Sequence, residues 1–573
     1  MTEPAPSSPA DPDTSRLSAL ARRVPGIGAV RTYQPGWLRF DLVAGVVLAA
    51  ILVPQGMAYA ELAGLPAVTG LYTTVACLIG YALFGPSRVL VLGPDSSVSP
   101  MILAAITPLV VVDDPGTAIA LAGMLALFVG VIEIGLGLGK LGFVADLLSS
   151  EVQVGYLNGL AVTIIVGQLP KLFGFSTDSD GFFDDVRAFV DGLDQTHGTT
   201  LLVGLAVLVT LLVMPKLTRV VPAVLVAVVG ATVVSAVLDL SARGVATVGT
   251  LPQGIPTPSL PWTSLHDLGA LALGALGITL VSLTDTIATA SSFAARRGEQ
   301  VDPDQEMVGM GAANLAAGVF QGFPVSTSGS RTAVAEQSGA RSQLAGVIGA
   351  AVVAVMLIFL NDVLSDLPQA ALAAVVIAAA LSLLDLRALA RYWKVRRSAL
   401  LLSLTASAGV IVFGVLQGIL VAIALAVALF FHRSWWPHGA VLGEVSDMDG
   451  WHSVDDFPDA DQRPGVIVYR WEAPLFFANA GAFKRQLMQL AAQPGTEWIV
   501  VQCEAITDLD VTAAGMLESL DRELNERGIH LAFVELRSRL KDLVLRYGLM
   551  DTLDRDHFYP SLDRAFAAID EGA

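Results

Sequence analysis

Apolar runs of membrane-crossing length recur from Leu42 to Phe431, and they leave the backbone few choices. A bilayer core holds no water to bond N–H and C=O groups, so such runs are read as helices. The overall balance agrees: of 573 residues, 54% are hydrophobic and only 15% charged, too apolar for a soluble protein. The runs are Leu42–Ala60, Pro66–Phe84, a segment from Val98 to about Val112, Thr117–Gly139, Phe143–Leu169, Thr200–Met214 and Val221–Leu238. A Pro-rich connector, Leu251–Trp262, follows. The second set is Leu268–Phe293, Met307–Phe320, a broken segment after Pro324, Gln343–Leu360, Pro368–Leu384, Ala399–Phe413 and Leu416–Phe431. Seven plus seven gives fourteen segments in two halves.

The third segment of each half is interrupted by polar residues. Residues 322–343 read GFPVSTSGSRTAVAEQSGARSQ, where Phe323-Pro324 stops one helix and Ser326, Thr327 and Ser328 are candidate caps for the next. Residues 85–101 read GPSRVLVLGPDSSVSPM, where Gly93-Pro94 breaks the chain and Asp95, Ser96 and Ser97 precede a new helix. A helix that starts at membrane depth aims unpaired N–H groups and a partial positive charge at what lies before it. Arg331 adds a fixed cation, and a buried arginine faces a cavity or a partner. The expectation is an anion site between the two broken segments, formed by Asp95, Ser96, Ser97, Thr327, Ser328, Gly329, Ser330 and Arg331. Gln55, beside Pro54 in the first run, is a further candidate for it. The simpler alternatives are a tight Ser/Gly contact with Arg331 reaching the surface, and Gln55 bonding carbonyls freed at the kink.

Charge sets the orientation. With the N-terminus in the cytoplasm, inside loops hold Lys140, Lys216, Arg219, Arg296, Arg297, Arg387, Arg391, Lys394, Arg396 and Arg397. Outside loops hold Asp113, Asp114, Asp178, Asp180, Asp184, Asp185, Asp362 and Asp366, with Lys171, Arg187 and Arg243 as exceptions. Both termini are then cytoplasmic. The net charge of −18 argues against nucleic acid. Two distant cysteines, Cys77 and Cys503, make neither a disulfide framework nor a metal cluster, and seven scattered histidines lack ligand spacing. Without a nucleophile–base pair or a Walker-type loop, an enzyme is not expected and no metal or organic cofactor is implied.

After Phe431 the pattern becomes soluble α/β. GVIVYRW and PLFFAN read as strands, residues 480–492 as a helix, EWIVVQC as a buried strand, residues 512–526 as a helix, HLAFVEL as a strand and residues 537–547 as a helix. The expected domains are a disordered cytoplasmic leader at 1–37, a membrane domain at 38–432 (repeats at about 38–240 and 266–432), a linker at 433–463 and an α/β domain at 464–573.

VPQGMAYAELAGLPAVTGLY, GPSRVLVLGPDSSVS and DTIATASSFAARRGEQVDPDQEMVGMGAANLAAGVFQGFPVSTSGSRTAV together resemble the sulfate permease (SulP) family of anion transporters, and the C-terminal region resembles its STAS domain. The resemblance implies two inverted seven-span repeats arranged as core and gate domains, a homodimer in the inner or plasma membrane, and a small inorganic anion as substrate. It also implies secondary active transport by alternating access. Ser330 and Arg331 match the family's serine–arginine pair, whereas many relatives lack the acid found here at Asp95. A carboxylate there would repel a dianion unless protonated, paired with Arg331 or turned away. Asp285 falls where relatives carry an acid, and Thr289 shares its helix face at i, i+4 spacing. A sodium-coupled bicarbonate member uses such a pair, so Asp285 and Thr289 are candidates for Na⁺ or H⁺ coupling. The alternative is that Asp285 only neutralises Arg331. Thr512 stands where soluble STAS relatives carry a phosphorylatable hydroxyl, or it serves only as an N-cap.

Single cysteines at Asp180 and Asp302 should label from outside and inside respectively. Labelling from one side for both would overturn the count of spans.

Overall fold

A computed structural model describes residues 24–110, 115–147, 149–177, 181–218, 222–262, 264, 267–446, 448–553 and 557–571. The leader's first 23 residues, Asp113, Asp114, Asp178, Asp180, Arg219 and the segment ends at Val112 and Val221 lie outside that set. The chain forms two compact units, Met1–Ala426 and Val427–Ala573.

In the first unit, seven helices α1–α7 are Leu38–Leu62, Ala67–Phe84, Ser99–Ile106, Pro115–Leu138, Ser150–Phe173, Gly198–Leu217 and Ala223–Leu238. Seven more, α8–α14, are Leu268–Ala295, Pro303–Val319, Gly329–Gln337, Leu344–Phe359, Gln369–Leu383, Arg397–Phe413 and Val415–Trp435. Among the described residues, eight helical stretches are long and apolar enough to cross a bilayer, and α3, α7, α11 and α13 are shorter apolar helices. Two bundles emerge from the packing: α1–α4 with α8, α9 and α11, and α5–α7 with α12 and α13. Small residues allow the close crossings that replace a hydrophobic driving force in lipid. On α4 and α9, a Cβ at Gly130 would sit 2.7 Å from the Gly311 carbonyl oxygen, and one at Gly311 2.6 Å from that of Gly130.

The two broken segments are joined. Strand β1 (Leu92–Gly93) pairs antiparallel with β2 (Ser326–Thr327), with Leu92 opposite Thr327 and Gly93 opposite Ser326. Each strand runs toward a half-helix, α3 or α10. The third helix starts at Ser99, one residue from the expected start, after Asp95 closes a turn of its own: its carboxylate accepts from the Ser97 N–H (3.0 Å) and hydroxyl (2.9 Å). Of the three cap candidates before α10, Ser328 is the cap, while Ser326 and Thr327 are used as strand.

Three expectations need correction. The leader is ordered before residue 37: Pro25–Thr32 is a helix with proline at its first position, and Gly26 lies against the Ala82 and Leu83 carbonyls of α2. PLFFAN is no strand. Pro474 has no N–H to donate, and the Asn479 side chain closes a turn by accepting from the Phe476 N–H at 3.0 Å and donating to the Pro474 carbonyl at 2.8 Å. The interval 433–463, expected as a linker, holds two strands of the second unit's sheet, β3 (Gly439–Glu444) and β4 (Trp451–Ser453).

That sheet runs β4-β3-β5-β6-β7-β8, with β5 (Val466–Trp471), β6 (Trp498–Gln502), β7 (His530–Val534) and β8 (Phe558–Tyr559) parallel and the first two antiparallel. Alternation sends Trp471, Ile499, Val501 and Phe533 to one face, packed with α15 (Ala480–Ala491), α16 (Val511–Asn525) and α17 (Ser538–Arg546). Val468, Val500 and Ala532 turn to the other, beneath α18 (Leu562–Asp570).

Strand β3 buries Ala440 and Leu442, each 1% exposed. A fragment spanning 437–573 should therefore fold alone and melt cooperatively by circular dichroism. One beginning at 464 should melt at least about 5 °C lower, since losing a strand and two buried side chains costs more than about 1 kcal/mol. Equal melting temperatures would show that β3 is dispensable.

Candidate functional site

Arg331, at the start of α10, is 1% exposed. Its guanidinium is spent mostly on backbone: it donates to the Pro94 carbonyl, and at 3.4 Å to those of Gly93 and Ser326. It also lies 3.5 Å from the Asp95 carboxylate. One side chain thus ties β1, the turn before α3, and β2. Two further bonds close the junction, from the Ser328 N–H to the Val91 carbonyl (3.3 Å) and from the Val91 N–H to the Thr332 hydroxyl (3.1 Å). The paired alternative for Asp95 is the one observed.

Gly329 and Ser330 are exposed, whereas Arg331 and Thr332 behind them are buried. The N-terminus of α10 therefore opens onto accessible space, with the Ser328 and Ser330 hydroxyls 2.9 Å apart. Ser96 and Ser97 are buried beside it at the other junction, 5% and 1% exposed. Thr327 donates to the Thr286 hydroxyl of α8 at 3.2 Å. Tyr59, one turn beyond Gln55 on α1, is buried close to Ser96, Asp95 and Arg331. Gln55 is mostly buried, and its Oε1 has no hydrogen-bond partner among the described residues.

Asp285 reaches the same junction from α8. It accepts from the Ser97 hydroxyl at 3.2 Å and from the Gln153 amide of α5 at 2.9 Å. It so bridges the two bundles. Thr289 is half-buried one turn further on and makes no hydrogen bond with Asp285 among the described residues. In the second unit, Asp510 caps α16 by accepting from the Ala513 N–H at 2.8 Å, which removes the cap role considered for Thr512. Thr512 is exposed in the first turn of that helix.

Comparisons with known proteins identify the family and the fold. The family model described as "Sulfate permease family" matches residues 38–406, and that of the STAS domain matches 457–565. The chain belongs to the sulfate permease family. It is 41% identical over 546 residues to a probable sulfate transporter of Mycobacterium tuberculosis strain H37Rv, covering 95% of this chain and 97% of that protein. It is 30% identical to sulfate transporter 4.1, chloroplastic, of Arabidopsis thaliana, covering 92% and 80%. Its fold is that of murine Slc26a9, an anion transporter solved in the inward-facing state, with TM-score 0.88 and 22% identity over 100% of this chain and 97% of the other. The transmembrane domain of the cyanobacterial bicarbonate transporter BicA aligns with TM-score 0.61 and 24% identity over 69% and 98%. Sulfate permeases are transporters, not enzymes, so this chain is a multi-pass membrane transporter of anions.

Sequence reasoning missed several residues that hold the permease site. Tyr59 and Gln153 sit in runs where one hydroxyl or amide gives no signal, whereas Thr286 and Thr332 lie in the polar stretches around Asp285 and Arg331 without standing out from their neighbours. Three carboxylates, Asp41, Glu133 and Glu306, are fully buried. Glu133 accepts from Ser282 (2.9 Å) and Asn314 (2.8 Å), and Asn314 in turn accepts from the Val325 N–H just before β2 at 2.8 Å. Glu133 alone had a signal, as the one charged residue in Thr117–Gly139. Glu306 accepts from Tyr81 (2.7 Å) and Ser87, and Asp41 from the Arg341 N–H (2.7 Å) and the Ser342 hydroxyl (2.8 Å).

Asn314→Ala would strand both a Glu133 oxygen and the Val325 N–H, so it should cost about 2 kcal/mol or more of stability. Thermal unfolding of the purified protein measures this; an unchanged midpoint would refute the coupling.

Proposed function

We propose that this permease is a secondary active transporter of a small anion, with sulfate the favoured substrate and H⁺ or Na⁺ the coupled cation. The anion would bind between the starts of α3 and α10, at the N–H groups of Gly329 and Ser330 and the hydroxyls of Ser96, Ser97, Thr327 and Ser328. The single observation that carries the coupling is a count of charge: one guanidinium, Arg331, is matched by two carboxylates, Asp95 and Asp285. Arg331 is already neutralised by Asp95, and a dianion brought beside Asp285 would be repelled across a poorly screened site. A proton or Na⁺ arriving with the anion removes that repulsion. Asp285 also touches both bundles, so its charge can bias their relative position in alternating access.

Sulfate rests on the names of the relatives. Bicarbonate and C4-dicarboxylates suit the same helix-end chemistry and are the alternatives. Assembly as a homodimer, residence in the inner or plasma membrane with both termini cytoplasmic, and a regulatory phosphate at the exposed Thr512 belong to the same proposal. A channel, or a sensor relaying through the STAS domain, would lack accumulation.

Proteoliposome uptake of labelled sulfate, bicarbonate and a C4-dicarboxylate, with and without proton or sodium gradients, tests the reading. Accumulation driven by one gradient is expected. Dissipation alone would mean a channel, and no flux a sensor. Asp285→Asn should abolish gradient dependence while sparing binding.

Arg331→Ala should weaken anion binding at least tenfold, as expected when one partner of a buried charge pair is lost at about 2–5 kcal/mol. Pairing Arg331→Ala with Asp95→Asn separates two roles. Recovery of transport in the double variant would make Arg331 chiefly the counterion of Asp95; continued failure would make it a substrate group.

A further inference from the structure

Between α12 and α13 lies a helix, Leu386–Val395, that is too short and too polar to cross a membrane. Its three faces differ. Ala388 and Tyr392 are buried and pack with Val154 of α5 and Leu400 of α13. Arg387, Arg391 and Lys394, at i, i+4 and i+7, form one exposed stripe. Leu386, Ala390 and Trp393 form the adjoining stripe at the same spacing, and Leu386 is 64% and Trp393 63% exposed. Arg396 and Arg397 follow directly, so five cations fall within eleven residues.

These cations have no countercharge. Asp385 is occupied as the helix cap, accepting from the Ala388 N–H at 2.8 Å, and the next acidic residue in the chain is Glu444. Among the described residues none of the five makes an ion pair. Arg397 instead lies over the Trp393 ring at 6.0 Å. It also stands at the N-terminus of α13, where the helix dipole disfavours a cation and favours an anion. On the apolar helix α13, Leu401 and Leu404, one and two turns beyond Arg397 on the same face, are exposed as well.

We propose that this helix is a headgroup-binding element for anionic phospholipids of the leaflet on its side of the membrane. Leu386, Ala390 and Trp393 enter the acyl boundary, and Arg387, Arg391 and Lys394 take the phosphate layer, with Arg396 and Arg397 adding to the same field. The continuity with lipid-facing leucines selects a bilayer over an acidic protein surface as the occupant. Because the helix is packed on α5 and α13, the bound lipids would hold the second bundle in place.

The test uses full-length protein in nanodiscs of zwitterionic lipid carrying a minor fraction of brominated phosphatidylglycerol or brominated phosphatidylcholine. Trp393 fluorescence is taken as the difference between wild type and Trp393→Phe. Phosphatidylglycerol should quench at least about twice as strongly at low salt, and high salt should erase the preference. The triple variant Arg387→Gln, Arg391→Gln, Lys394→Gln should lose it at low salt too. Equal quenching of the Trp393 signal by both tracers would overturn the proposal, and that comparison needs only the conservative Trp393→Phe variant to fold, not the triple variant. Absence of quenching by either tracer would place protein, not lipid, on this face and overturn it as well.

Discussion

A guanidinium buried at membrane depth is costly unless its donors are bonded, and the transport unit is arranged around one whose two terminal nitrogens are bonded while its Nε has no hydrogen-bond partner among the described residues. Arg331 finds carbonyls at Gly93, Pro94 and Ser326 and a carboxylate at Asp95. Those groups belong to the two places where the backbone abandons helix. Irregular backbone inside a bilayer must be bonded within the protein, and the arginine supplies much of that bonding. The helix breaks and the cation therefore stabilise each other. What remains open is the rim at the start of α10, where Gly329 and Ser330 are exposed and the Ser328 and Ser330 hydroxyls lie side by side.

Much of this was legible because lipid simplifies the reading. Runs of apolar residues must be helices, so the fourteen segments and the two interruptions could be read directly from composition. Arg331, Ser330 and Asp95 stood out because polar groups there are rare. The partners did not. Whether Arg331 would meet a substrate, the surface or Asp95 depends on a contact across 236 residues, which no local pattern encodes. Tyr59 and Gln153 were hidden for the same reason, since one hydroxyl or amide in an apolar helix is as often a bond to its own turn. In the second unit the errors were local. PLFFAN has a strand's composition, yet Pro474 and Asn479 make it a turn, and β3 hid in a polar interval whose alternation is brief.

The two bundles are held together differently within and between themselves. Inside each, glycines such as Gly130 and Gly311 bring helix backbones into contact, which makes a stiff body. Between them, polar bridges run from Asp285 to Gln153, from the Tyr156 hydroxyl to the Ser97 carbonyl and from Lys171 to Glu61. Under the proposed coupling, a change of charge at Asp285 would act on one of these few contacts between two stiff bodies.

The two-residue ladder between β1 and β2 also constrains how the protein is made. Its strands lie in opposite halves of the transport unit, and the Arg331–Pro94 bond spans 237 residues. At translation rates of about 5–20 residues per second, the first half waits on the order of 10–50 s for its partner. During that interval Val91, Leu92 and Gly93 sit in the bilayer with their backbone groups unbonded by their final partners. The insertion machinery, or the lipid headgroup region, must shelter them until the second half arrives, so this junction is among the last parts of the transport unit to be completed.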